Sequence, residues 1–202
     1  MHAAKRLLQL PAVFTTAEYC TLAHQAPATA AVMLSRYSDR GYIERLSPRS
    51  DVFANVIAGA SRSTHLRAMI ARAMPGAIVT GLSSIFEHGW STQRPVSLHI
   101  ALPLGSPGSR QTIPGVVTHN RSQSWFGALS ADDGGISHGL VEALPRLKPE
   151  WALADMLNRM QAPDPDDIDE DALLEYRERI EELRHLLPAP SDSAKPRRRR
   201  TA

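Results

Sequence analysis

The sequence predicts an α+β protein: an N-terminal winged helix-turn-helix, then a mixed α/β domain, then a basic tail expected to be disordered. Three observations carry this reading. Short helical patterns within the first 39 residues lead straight into a β-hairpin pattern. Further along, strand alternation over 96–102 and 115–119 mixes with helical segments. After Met160 the composition turns acidic and proline-broken, and the chain ends in a run of arginines, Arg197 to Arg200.

The first helix is expected over Ala3 to Leu10, with Leu7, Leu8 and Leu10 apolar and Pro11 ending it. Thr15 is placed as the N-cap of the second, and Glu18 three residues on completes a capping box. That helix runs to about His24, and Pro27 suits the first position of the next. The third helix covers Ala28 to Asp39, with Ala30, Leu34 and Tyr37 on the i, i+4, i+7 stripe that faces a core. Gly41 is placed to close it in a left-handed conformation. Residues 40–46 and 51–56 alternate apolar and polar around the turn formers Ser47-Pro48-Arg49-Ser50, which reads as a hairpin.

Beyond the hairpin, residues 57–74 read as a linker entering a helix, with Ser63 as N-cap and Leu66, Met69, Ile70 and Ala73 apolar. Ile78–Val79 is a short apolar step, and Ser83 to His88 a short helix. Val96 to Leu102 and Gly115 to His119 are strands, and Gly105 to Arg110 is a loop. Trp125 to Leu129 and Ile136 to Val141 are weaker strand candidates. Pro149 to Leu157 is a helix with proline and an acid in its first turn. Asp169 to Leu187 is helical, with Leu173, Leu174, Ile180, Leu183 and Leu187 as its apolar side. The expected domains are 1–56, winged helix-turn-helix; 57–160, mixed α/β; 161–188, acidic linker and helix; 189–202, tail.

Composition narrows the function. The 202 residues are 43% hydrophobic and 22% charged, ordinary for a soluble globular protein. No apolar run approaches the roughly 18 residues of a membrane span, and the N-terminus lacks the apolar stretch of a signal peptide. Cys20, the single cysteine, excludes an internal disulfide and a cysteine-rich zinc site, so a reducing cytoplasm is the expected compartment. Charge is unevenly spread. Residues 1–74 hold nine Lys/Arg against four Asp/Glu, residues 75–150 balance, and residues 151–202 hold nine against twelve. The basic surplus lies where a nucleic-acid partner would meet the winged helix.

In a winged helix the third helix enters the major groove and the hairpin touches backbone or minor groove. The candidate DNA contacts are therefore Thr29, Ser35, Arg36 and Arg40 on the helix, and Arg45, Ser47, Arg49 and Ser50 on the wing. Arg36 is the candidate to read guanine bidentately through its guanidinium fork; the others suit phosphates. The four terminal arginines form a polycation able to add attraction to any nucleic acid that weakens as salt rises.

Two stretches, Leu34-Ser35-Arg36-Tyr37-Ser38-Asp39-Arg40-Gly41-Tyr42-Ile43-Glu44-Arg45-Leu46 and Ile78-Val79-Thr80-Gly81-Leu82-Ser83-Ser84-Ile85-Phe86-Glu87-His88-Gly89-Trp90 with Gln93-Arg94-Pro95 and the strand after it, resemble the AbiEi family. A weaker match is Leu147-Lys148-Pro149-Glu150-Trp151-Ala152-Leu153-Ala154-Asp155. AbiEi proteins are the antitoxin and winged-helix regulator half of AbiE abortive-infection systems, which act in phage defence. The resemblance implies double-stranded DNA, an inverted repeat in the protein's own promoter, as one partner. The other is a nucleotidyltransferase-like toxin neutralised through the second domain without a stable complex. Ser83, Glu87, His88, Gln93 and Arg94 are the expected partner surface.

Catalysis is not expected, and neither cofactor nor metal is called for. Glu87 and His88 are adjacent and diverge on a helix. His99 and His119 each lack a second ligand at i+2, and a zinc site needs three or four convergent ligands. Ser83-Ser84 has no nucleophile elbow, Cys20 reads as a small buried hydrophobe, and Asp132-Asp133-Gly134-Gly135 reads as a turn. Gly105 to Arg110 lacks a phosphate loop's lysine and spacing. A different class, an interaction protein whose winged helix is structural and whose second domain binds a partner protein, remains open. An enzyme such as a nuclease built on 78–160 is not favoured, because the sequence shows no two-carboxylate-plus-lysine site there.

Overall fold

The chain's first regular elements are a short helix, α1 (Ala3–Leu7), and a strand, β1 (Val13–Thr15). Thr15 then opens α2 (Thr16–Ala23) as a capping box: its hydroxyl accepts from the Glu18 N–H at 3.2 Å, and the Glu18 carboxylate accepts from the Thr15 N–H at 2.6 Å. The computed structural model describes residues 3–131, 135–137, 144–161 and 163–188. It is α+β, with two sheets.

After α2, His24 takes a left-handed conformation and Pro27 begins α3 (Pro27–Asp39). Ala30, Leu34 and Tyr37 are its buried stripe, as the spacing requires. Gly41 at φ 70° lets the Tyr42 N–H reach the Tyr37 carbonyl, a Schellman closure that turns the chain into β2 (Ile43–Arg45). β2 and β3 (Val52–Asn55) form the antiparallel wing, in register Ile43↔Asn55 to Arg45↔Phe53. β1 adds to the other edge of β3, giving the order β1-β3-β2. That third strand escapes sequence reading because it is three residues long and ends on the cap of α2. The helices cover one face of this sheet, with Phe14 stacked on Phe53 at 5.5 Å among Leu7, Tyr19, Leu34 and Ile43.

The second sheet is mixed, in the order β6-β5-β4-β8-β7. Its strands are β4 (Ile78–Val79), β5 (Leu98–Pro103), β6 (Val116–Arg121), β7 (Ile136–Ser137) and β8 (Arg146–Leu147). Preceding it is α4 (Arg62–Ala73). Between strands lie α5 (Gly81–Glu87) and α6 (Gln123–Ala131), and α7 (Pro149–Asn158) and α8 (Glu170–Leu186) follow. Val79, Ile100 and Leu102 face the wing side and join Val13, Leu46, Val52, Ala54, Met69 and Ile70 in one apolar cluster. Ile78, Ala101 and Leu147 face the other way, onto Ile85, Trp125, Trp151, Ile180 and Leu183. Apolar packing thus runs across residue 56, where the first domain was expected to end.

Several local expectations are corrected. Residues 125–129 are helical: Trp125 and Leu129 are buried one turn apart, and the Trp125 N–H bonds the Ser122 hydroxyl. A short apolar run does not itself distinguish helix from strand. The cap of α4 is Ser61, reciprocally bonded to Thr64, rather than Ser63. α5 starts two residues before Ser83, so Ser83 is no cap. Leu174 is exposed, off the buried side of α8. Residues 138–141 of the expected 136–141 strand, Asp132 to Gly134, and the tail from 189 lie outside the described residues.

Asn55 ties the N-terminus to the wing. It is fully buried, and its amide nitrogen donates to the carbonyls of Leu7 at 2.7 Å and Leu10 at 3.3 Å. Replacing it removes the side-chain donor of the Leu10 carbonyl, leaves the Leu7 carbonyl only the Leu10 N–H, and empties a buried site. Asn55→Ala is expected to cost about 2–4 kcal/mol, read from urea midpoints; a cost under about 0.5 kcal/mol would contradict the role given to this tie.

Candidate nucleic-acid interface and neighbouring cleft

α3 is packed through a single stripe, so its opposite face is open: Thr29, Val32, Ser35, Arg36 and Arg40 are all exposed. Arg36, Arg40 and, at the tip of the wing, Arg49 form no ion pair among the described residues. By contrast, two of the arginines of α4 are matched by acids: Arg72 meets Glu18 at 2.7 Å, and Arg67 meets Glu87. Of the cations of the first 74 residues that form no ion pair among the described residues, Arg36, Arg40, Arg45 and Arg49 lie on α3 and the wing, while Lys5, Arg6 and Arg62 lie elsewhere. Val32, 53% exposed and opposite the Leu34 stripe, was not singled out in the sequence although the helical spacing places it there. A surface valine on such a face fits the methyl group of thymine.

The wing itself is built less openly than its sequence suggested. Ser47 and Ser50 are buried. Ser47 donates to the Gln111 side chain at 3.1 Å, and the Ser50 hydroxyl accepts from the Val52 N–H at 3.1 Å. Both leave the set of surface contacts, because a buried hydroxyl already paired has nothing to offer a phosphate. Arg45 lies over the Phe53 ring at 5.0 Å and donates to the Pro48 carbonyl, so it shapes the turn that presents Arg49.

The expected partner surface is split. A cleft of about 930 Å³ runs between the start of α4, α5 and residues 94–98, and brings Ser83, Glu87 and Arg94 together with His65 and Arg67. Ser83 lines it but is buried, accepting from the His99 N–H at 2.9 Å and donating to the Ser97 carbonyl. Glu87 is also near Arg146 at 3.6 Å. His88 turns away to the Leu147 carbonyl at 3.1 Å, and burial lowers its pKa. Gln93 bonds Asp167. His88 and Gln93 do not line the cleft.

On the other side of β5 and α5 lies a polar knot. Asp155 of α7 is buried and receives Arg121 of β6 at 2.6 and 3.1 Å, the Trp125 indole N–H at 2.9 Å and Arg159 at 3.1 Å. Beside it His99 and His119 share a ring-nitrogen hydrogen bond of 3.1 Å across parallel β5 and β6. Burial, helped by Arg121 and His99, pushes His119 from the usual 6.5 down to about 4; burial also lowers His99. Among the described residues no three His, Cys, Asp or Glu side chains converge as a metal site, and no helix is long and apolar enough to cross a membrane.

No family model matches the chain, and no curated protein matches it significantly. A solved structure does. The RV2827C protein from Mycobacterium tuberculosis is similar over 92% of this chain and 70% of its own length, with 20% identity and a TM-score of 0.57. At that identity the likeness is one of fold.

The histidine pair sets a pH dependence. An unfolded His119 titrates near 6.5 and the folded one near 4, so the unfolded state binds more protons between these values. Stability is full above about 6.5 and falls as pH drops toward 4. Melting temperatures from pH 7 to 4 are expected to fall less steeply in His119→Gln than in the parent; parallel curves would contradict the depressed value.

Proposed function

We propose that this chain binds duplex DNA sequence-specifically through α3 and the wing, acting as an autoregulator at an inverted repeat in its own promoter. The observation that carries this reading is the open face of α3, where Arg36 and Arg40 lie unpaired beside Thr29, Val32 and Ser35, with Arg49 at the wing tip. Arg36 suits the paired acceptors of guanine, and Arg40 and Arg49 suit phosphates that fix the register.

The proposal extends to an antitoxin role toward a nucleotidyltransferase-like toxin, without a stable complex. Support for that part is the resemblance of residues 78–101 to the AbiEi family, and the cleft where Glu87 and Arg94 meet gives it a surface. The cleft equally suits a partner protein of another kind, the alternative in which the winged helix is structural.

On an operator selected from random duplexes, Arg36→Ala is expected to lose about 1–3 kcal/mol of discrimination at one base position. Arg49→Ala weakens all sequences alike and lowers the salt slope by about one phosphate. Equal affinity of the parent for selected and random duplexes at about 150 mM salt overturns sequence-specific binding. For the second role, full-length Arg94→Glu is expected to bind operator normally yet fail to rescue growth beside the toxin encoded next to it. Undiminished rescue would remove the cleft from the antitoxin surface.

A further inference from the structure

We propose that the cavity beside His99 and His119 binds a small oxyanion, the carboxylate or phosphate group of a small molecule, with the Thr80 hydroxyl, the imidazole pair and Arg121 as donors. The cavity is about 280 Å³, just below the roughly 300 Å³ at which pockets for drug-sized ligands begin. Its floor is one face of β5 and β6, carrying His99, Val117, His119 and Arg121. Thr80 to Leu82 and the Asp155–Met156 step of α7 wall it, and Gln161 stands at the rim.

A missing partner is the first sign of a ligand. Thr80 is 1% exposed, lines the cavity, and its hydroxyl makes no hydrogen bond among the described residues. A buried hydroxyl left unpaired is costly enough that native structures rarely tolerate it.

The spare capacity around the cavity is donating and cationic. Asp155 answers two guanidinium groups at once, Arg121 and Arg159, which leaves a local surplus of one positive charge. Arg121 spends Nε and Nη2 on Asp155, while Nη1 reaches only the Asn120 carbonyl at 3.4 Å and keeps N–H capacity. The two imidazoles lie nearly coplanar, 26° apart, with centroids 5.2 Å and facing nitrogens 3.1 Å apart, so they point at one another along the bond. One facing nitrogen donates its N–H to the lone pair of the other, so the in-line pair leaves no two convergent lone pairs for a cation. The outward nitrogens, Nε2 of His99 and Nδ1 of His119, make no hydrogen bond among the described residues.

The electrostatics agree. The charged groups around the pair are Arg121 on β6, Asp155 on α7 and Arg159 just after it, while the start of α5 and the residue before it offer only Thr80, Gly81 and Leu82. Burial and this net positive surrounding oppose a proton on His119. An anion in the cavity reverses the second of these, so binding raises the titration point of the pair and takes up a proton. Affinity therefore increases as pH falls from about 7 toward 5.

The test is a nuclear magnetic resonance titration of the full chain with inorganic phosphate and, separately, acetate, at constant ionic strength set by chloride. Saturable shifts centred on the Thr80 methyl and the His99 and His119 rings are expected with at least one of the two, and which one answers identifies the headgroup chemistry. The ring titration points are expected to rise at saturation. Thr80→Val keeps the shape and removes the hydroxyl, so roughly tenfold weaker binding or worse is expected at an unchanged amide spectrum. Chloride giving the same shifts, no saturation with either anion, or an undiminished affinity in Thr80→Val each overturns the proposal. If Thr80→Val does not fold, the parent titration decides alone: shifts scattered over surface arginines overturn it.

Discussion

A strand whose side chains are all buried must be covered on both faces, and β3 is such a strand. Phe53 points into the helical layer of α1 to α3, while Val52 and Ala54 point into the cluster shared with α4 and β5. Asn55, at its end, is bonded back to the segment that follows α1. Burial of apolar area on both faces is the main stabilising term available here. Because β3 also pairs with β1 and β2, the wing cannot shift without disturbing two cores at once.

That constraint gives the surface its meaning. α3 is held by one buried stripe against a sheet that is itself pinned, so the opposite face is presented in a fixed attitude beside the wing tip. Pre-organisation of this kind removes ordering costs that binding would otherwise incur. The wing receives a second brace from outside the winged helix, through Ser47 and Gln111. Charge adds to this: Arg72 and Arg67 of α4 are paired with Glu18 and Glu87, while Arg36 and Arg40 of the α3 face and Arg49 at the wing tip form no ion pair among the described residues.

The second half is organised around a charge instead of a strand. A buried ion pair contributes little net stability by itself, but removing one partner is expensive because the other is left alone. Asp155 avoids that by answering two guanidinium groups and an indole, which fixes α7 against β6 and α6. The cavity of Thr80, His99 and His119 lies beside this knot. β5 connects the two halves physically: Ile100 and Leu102 pack under the wing, and His99 faces the cavity.

Legibility in the sequence followed the range of the interaction. The Thr15–Glu18 box, the Ala30–Leu34–Tyr37 stripe, the left-handed Gly41 and the hairpin are all local and could be read directly. β1 could not, because three residues gain strand character only from β3, some 40 positions away. Trp125 and Leu129 were ambiguous until packing chose the helix. Ser47 and Ser50 looked like surface residues because nothing local shows Gln111 or the fold of the turn over them. The Arg121–Asp155 pair and the His99–His119 contact depend on strand register and helix docking, which leave no pattern along the chain. The most direct test of the account is amide shift mapping during titration with a duplex carrying the selected operator. Perturbations confined to residues 27–40 and 45–51 are the predicted result; perturbations centred on the cleft of Arg67, Glu87 and Arg94, with α3 unmoved, would contradict it.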